Sequence, residues 1–161
     1  MVLLLAACGG EEPSRTEEEH VDDRPAMETV VTQYEAMQDD LFASLEGRFG
    51  ARAWAVSDNS LGGGRTGCDD DPEAERVYLP PMTFAGTYPE GEWDQVKQVV
   101  ADVGREHGFD DVAYVKDEPG ELSMVGEDAY GARYSFGMAR NTVFDVHTGC
   151  HRWDQKPPPT P

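Results

Sequence analysis

The chain has 161 residues and a mass of 17.7 kDa, a length that suits one domain rather than two. Hydrophobic residues make up 39% and charged residues 28%, which is enough apolar material for a packed interior and too much for wholesale disorder. Thirty-two acids against thirteen bases give a formal charge of −19, which repels nucleic-acid phosphates, and no stretch reaches the roughly 20 apolar residues of a transmembrane helix.

The chain opens Met1-Val2-Leu3-Leu4-Leu5-Ala6-Ala7-Cys8-Gly9-Gly10. Leu5, Ala6, Ala7 and Cys8 match a bacterial lipobox, in which a branched apolar residue and two small ones precede a cysteine. The motif implies cleavage after Ala7 and a diacylglyceryl group on the Cys8 thiol. Two acyl chains, at about 0.8 kcal/mol per buried methylene, are enough for stable anchoring. A signal segment normally carries a basic n-region before its apolar run. None stands before Cys8, so residues 1–7 read as the remnant of a signal peptide whose start lies upstream. Residues 9–24 hold seven acids, two bases and Val21 as their only aliphatic residue. Such a segment cannot bury enough surface to offset its ordering entropy, so residues 8–24 are expected to be a lipidated cysteine and an acidic flexible tether.

Residues 25–153 are expected to form a single domain, followed by an unpacked, proline-rich tail over 154–161. From Pro25 to Gly47 the apolar positions Val30, Tyr34, Met37, Leu41 and Leu45 recur every three or four residues, one face of a helix. Residues 51–56 read as a strand, with Trp54 and Val56 on one face. Residues 57–75 contain Gly62-Gly63-Gly64, Gly67 and Asp69-Asp70-Asp71 and read as one long loop. A strand follows over 76–79, ended by Pro80-Pro81. Trp93, Val96, Val100 and Val103 predict a second helix over 91–107. Beyond it the period changes to two: Val112 and Tyr114, Leu122 and Met124, Ala132 to Met138 in alternate positions, then Phe144 and Val146. This predicts an antiparallel meander with a tight connection at Arg140-Asn141. The simplest layer solution is α+β: a largely antiparallel five- to six-stranded sheet with two helices packed on one face.

With Cys8 assigned to lipid, Cys68 and Cys150 remain. An even pair outside the cytoplasm suggests a disulfide, the alternative being two unpaired buried thiols. Each follows Thr-Gly, where the backbone can need an unusual turn. No other motif carries chemistry by its spacing. The glycine run lacks the Gly-Lys-Ser/Thr ending of a phosphate loop, and consecutive aspartates do not reproduce the spaced ligands of a calcium loop. His147 and His151 on an extended strand would lie about 13 Å apart, too far for a shared zinc, and read as surface or capping residues. No Gly-x-Ser-x-Gly elbow or other nucleophile arrangement stands out. Tyr34, Met37, Trp54, Trp93, Tyr134, Phe136 and Met138 fall on buried periodicities and are assigned to the core.

The segments Gln33-Tyr34-Glu35-Ala36-Met37-Gln38, Val77-Tyr78-Leu79-Pro80, Glu92-Trp93, Gly108-Phe109, Ser135-Phe136-Gly137, Asn141-Thr142-Val143 and Thr148-Gly149-Cys150-His151 follow one another along the chain. In these segments, by their order and spacing, the chain resembles the LppA-type lipoproteins of mycobacteria and related actinobacteria. The resemblance implies an envelope location and supplies no catalytic residues. The expectation is a lipid-anchored extracytoplasmic module held to the outer face of the cell membrane through Cys8. It needs no cofactor or metal, does not bind nucleic acid, and binds an unidentified envelope protein or ligand without catalysing a reaction. The alternative is a small envelope enzyme or lipid carrier with a cavity between helices and sheet.

Overall fold

The computed structural model describes residues 21–58 and 63–158. Cys8 and residues 1–20 as a whole lie outside the described residues, as do 59–62 and 159–161. Helix α1 spans Met27–Phe49 and helix α2 Trp93–Glu106. Among the described residues eight strands form one sheet: β1 (Ala55–Val56), β2 (Gly64–Gly67), β3 (Glu75–Tyr78), β4 (Met82–Ala85), β5 (Asp111–Glu118), β6 (Glu121–Glu127), β7 (Arg133–Met138) and β8 (Asn141–His147). All pairings are antiparallel. The main path runs β1-β4-β8-β7-β6-β5, with the β2–β3 hairpin attached to β8 through β3. The architecture is therefore α+β with two helices on one face, and the sheet is larger than the expected five or six strands.

Helix α1 begins and ends two residues later than the sequence suggests. Ala26 is still extended, and the first helical amide, that of Met27, is satisfied across the fold by the carbonyl of Arg152 at 2.8 Å. The stop is Gly50 at φ +81°, whereas Gly47 is an exposed position inside the helix. Before α2, a 3-10 turn over Glu90–Glu92 leads into Trp93, whose indole donates to the carbonyl of Tyr88 at 2.7 Å.

Two strands escaped the sequence reading. β4 follows Pro80-Pro81 immediately and pairs with β8 from Met82↔Phe144 to Ala85↔Asn141, so it enters the middle of the sheet although only Phe84 is buried. β2 lies inside the expected loop. It has no large apolar residue, and it pairs with β3 from Gly64↔Tyr78 to Gly67↔Glu75. The expected strand over 51–56 shrinks to two residues, Ala55 and Val56.

The proline-rich tail, expected to be unpacked, is held as far as Pro158. Arg65 donates to the carbonyls of Pro157 and Pro158 at 3.1 and 3.0 Å and stacks over Trp153. Lys156 pairs with Glu75 at 2.7 Å, and the Glu28 carboxylate accepts from the amides of Asp154 and Gln155.

One core lies between helices and sheet. Tyr34, Met37, Leu41 and Leu45 from α1 meet Val96, Val100 and Val103 from α2 and the inward row Leu122, Met124, Tyr134, Phe136, Met138, Phe144 and Val146. Trp93 belongs to this core, while Trp54 is half-buried at its margin, stacked on Phe42 at 4.3 Å. At the centre Tyr134 packs edge-on against Phe109 at 5.3 Å and lies 6.2 Å from Phe144. Its ring fills the space that side chains at two glycines would take: a Cβ on Gly126 would stand 2.1 Å from the ring and one on Gly104 2.8 Å. Burial pushes the Tyr134 phenol up to about 12.

Because Tyr134 is walled in by other rings, Gly126→Ala should destabilise the fold by about 2 kcal/mol or more through overpacking. Gly47→Ala, with no atom within 4 Å of the new Cβ, should instead stabilise by about 0.5–1 kcal/mol through helix propensity. Urea denaturation of the two variants beside the parent checks both signs.

Candidate functional site

Cys68 and Cys150 are joined by a disulfide, with 6.2 Å between their Cα atoms. Cys68 follows β2 directly and Cys150 lies three residues after β8, so the bond fastens the β2–β3 hairpin to the end of the central strand. The two preceding glycines act differently from each other, and neither supplies an unusual turn. Gly67 has open space around its Cα. At Gly149 a Cβ would stand 2.0 Å from the carbonyl oxygen of Tyr130, so only glycine lets the two backbones approach.

Tyr130 sits in the loop over 128–132 that joins β6 to β7. Asp128 folds this loop: its carboxylate accepts from the amides of Tyr130 and Ala132, each at 2.8 Å, and from the phenol of Tyr34 on α1. Burial, and then the Asp128 carboxylate, push the Tyr34 phenol well above the ordinary tyrosine range.

Residues 21–24, expected as free tether, form part of the fold. Val21–Asp23 make a 3-10 turn, and Arg24 reaches over the Tyr130 ring to the carbonyls of Cys150 and Tyr130 at 3.1 and 3.3 Å. Beneath this arm lies His151, which is wholly buried and not at the surface as the sequence suggests. Its Nδ1 is 2.9 Å from the carbonyl of Pro25, and a carbonyl only accepts, so Nδ1 carries the proton and Nε2 is left without a partner. Burial, aided by the nearby Arg24 charge, lowers the imidazole pKa below its usual value. His147 is half-buried on β8 beside the Tyr78 ring.

These segments enclose a cleft of about 320 Å³ beside the disulfide, lined by Arg24, Arg76, Tyr130, Cys68, Cys150 and the acidic stretch Asp69 to Asp71. The three aspartates are not equivalent. Asp71 is almost fully buried and accepts from the Arg152 guanidinium at 2.8 Å and the Glu73 amide at 2.9 Å, contacts that hold its carboxyl below the usual range. Asp69 and Asp70 are exposed. A second hollow of about 260 Å³ lies on the other side of Tyr130, against Tyr34, Asp128 and His107. Among the described residues no group of three or more His, Cys, Asp or Glu side chains is placed to hold a metal ion. Sequence reasoning singled out the cysteines and aspartates of this region. It missed Arg24, Arg76, Tyr130 and Asp128, which come from three separate segments: the arm before α1, β3 and the loop between β6 and β7.

Comparison with known proteins adds the following. The sequence model of the LppA family, described as a lipoprotein confined to pathogenic Mycobacterium, matches residues 9–152. No curated protein matches the chain. In structure the chain is similar to the LppA crystal structure from Mycobacterium tuberculosis, with a TM-score of 0.66 and 11% identity over 83% of this chain and 87% of that one. It is also similar to a DUF4853 family protein from Actinomyces odontolyticus, with a TM-score of 0.62 and 13% identity over 84% of this chain and 73% of that one. At such identities the likeness concerns the fold alone.

Two outcomes follow from this geometry. Cys68→Ser should free the Cys150 thiol to alkylation and lower stability by up to about 4.5 kcal/mol, the chain-entropy value for a loop of this length. Unchanged melting would show that the bridge does not constrain the fold. His151, with its folded pKa below its unfolded one, contributes stability that is complete above about pH 6.5 and is lost as pH falls toward the folded value. Denaturant titrations from neutral to mildly acidic pH should therefore show a slope in the parent that is reduced in His151→Gln.

Proposed function

The chain belongs to the LppA family of lipoproteins, and from that membership we propose that it is a lipid-anchored, extracytoplasmic binding module of the cell envelope that acts without catalysis. Cys8 is the anchor and residues 9–20 the spacer between membrane and fold. The Leu5-Ala6-Ala7-Cys8 match supports the anchor, and among the described residues no helix is long and apolar enough to cross a membrane.

The observation that carries the binding-module reading is the filled interior. A carrier would need open space between helices and sheet, yet that space holds Tyr34 against Phe109 at 5.1 Å, Phe109 against Tyr134, and Met37, Leu41 and Phe136 without solvent exposure. Both hollows lie instead at the rim, where residues 21–25 enter the fold. Recognition at that rim is the reading the geometry favours.

Mass spectrometry of protein extracted from membranes, expressed from its native gene, should find acyl chains on Cys8. Cys8→Ala should move the protein to the aqueous fraction. Wild-type protein recovered in the aqueous fraction with an unmodified Cys8 would sink the anchor.

A further inference from the structure

Bases are scarce in this chain, and nearly all those that are half-buried are spoken for. Arg65 pairs with Glu75, Lys97 with Asp94 and Asp117, Lys116 with Glu121, and Arg152 with Asp71, while Arg52 lies over the Phe84 and Tyr88 rings. Arg76 is the exception among the described residues. It is half-buried in the wall of the disulfide cleft, its Nε is sealed from solvent with no acceptor, and no carboxylate, carbonyl or ring meets its guanidinium. Arg24, in the same cleft, spends one terminal nitrogen on two carbonyls, and its Nε likewise lacks an acceptor. A partly desolvated guanidinium without a counter-charge is costly, and in a protein with 32 acids an intramolecular partner was available.

We propose that this cleft is a binding site for a small zwitterion whose oxyanion is held by Arg76 and Arg24 and whose ammonium group is held by Asp69 and Asp70. Two guanidiniums offer more donors than a single carboxylate can accept, and their planar forks suit the several oxygens of a phosphate. Asp69 and Asp70 line the same cleft, are exposed and hold no base, so a plain inorganic anion would meet like charge there while an amine would be attracted. A phosphoethanolamine group has both parts, whether as a soluble ester or as a phospholipid headgroup. The assignment deepens the binding-module reading and does not depend on acylation. A failed titration with Cys8 acylated in cells overturns the ligand alone, and an unmodified Cys8 with a normal titration overturns the anchor alone.

The test is a titration of the oxidised, unacylated full chain with O-phosphoethanolamine, inorganic phosphate and ethanolamine, following the arginine Nε–H resonances by NMR. Phosphoethanolamine should shift the Arg24 and Arg76 signals and bind about tenfold more tightly than phosphate. Arg76→Gln and Arg76→Lys should each weaken it, the first by about tenfold or more, with melting temperatures reported alongside. Asp69→Asn with Asp70→Asn should abolish the preference over phosphate. Sedimentation with phosphatidylethanolamine vesicles would assign the headgroup, and binding of the ester without sedimentation would assign a soluble ligand. The site is overturned if the wild-type arginine signals do not move, or if a folded Arg76→Gln binds unchanged. Its zwitterionic character is overturned if phosphate binds as well as phosphoethanolamine.

Discussion

The disulfide is the constraint on which the rim of this fold depends. The β2–β3 hairpin contributes little apolar surface: β2 buries no side chain, and β3 leaves Val77 only half covered. Its attachment to the sheet is polar: the register pair Tyr78↔His147, the isolated bridge Glu75↔His151, and hydrogen bonds from Leu79 to Val146 and between Val77 and Thr148. Backbone hydrogen bonds in such a short hairpin do not by themselves offset the entropy of ordering it. The Cys68–Cys150 bond joins it to the end of β8, and the salt bridge from Arg152 to Asp71 adds a second tie next to the first. The central strands need no such help, because β6, β7 and β8 bury a continuous row of large side chains under two helices.

The charge balance bears on the edges of the sheet. β5 is a terminal strand of eight residues with Tyr114 and Val115 exposed, the kind of edge that invites another strand. It carries Asp111, Asp117 and Glu118, and its register slips between Tyr114 and Lys116, so both charge and a bulge oppose pairing with a copy of itself. The opposite edge, β1, is only two residues long. The excess of acid thus guards the sheet margins, and the few bases are kept for specific partners.

What could be read in the sequence was whatever depends on one-dimensional period. Val30, Tyr34, Met37, Leu41 and Leu45 announce α1, and alternation from Leu122 to Val146 announces β6 to β8, because burial on one face is written every three to four residues or every two. β2 and β4 left no such mark: Gly64 to Gly67 pair through backbone alone, and β4 buries one residue of four. The same limit hid the cleft. Arg24, Arg76, Tyr130 and Cys150 are distant in sequence, and their meeting is decided by strand order, which local pattern does not encode. The burial of His151 was hidden for a related reason. The segment that covers it, residues 21–25, has an acidic composition that speaks for a free tether, and the contacts of Arg24 and Pro25 draw it onto the fold.

The walls of the cleft are fixed by three forces of different kind, and this bears on how it would respond to its surroundings. The Cys68 wall is covalent. The Tyr130 wall is set by Asp128, whose carboxylate gathers two amides and the Tyr34 phenol, and by the close passage of Gly149 beneath the Tyr130 carbonyl. The Arg24 wall rests on hydrogen bonds to carbonyls and on the neutral imidazole of His151 under Pro25. A site held in place before its ligand arrives loses less entropy on binding, so the first two walls favour affinity. The third responds to acid, since a proton on His151 would place a buried charge beside Arg24. Loosening would begin at the arm, while the disulfide stays in place. The cleft would then lose one of its two guanidiniums before the core was disturbed.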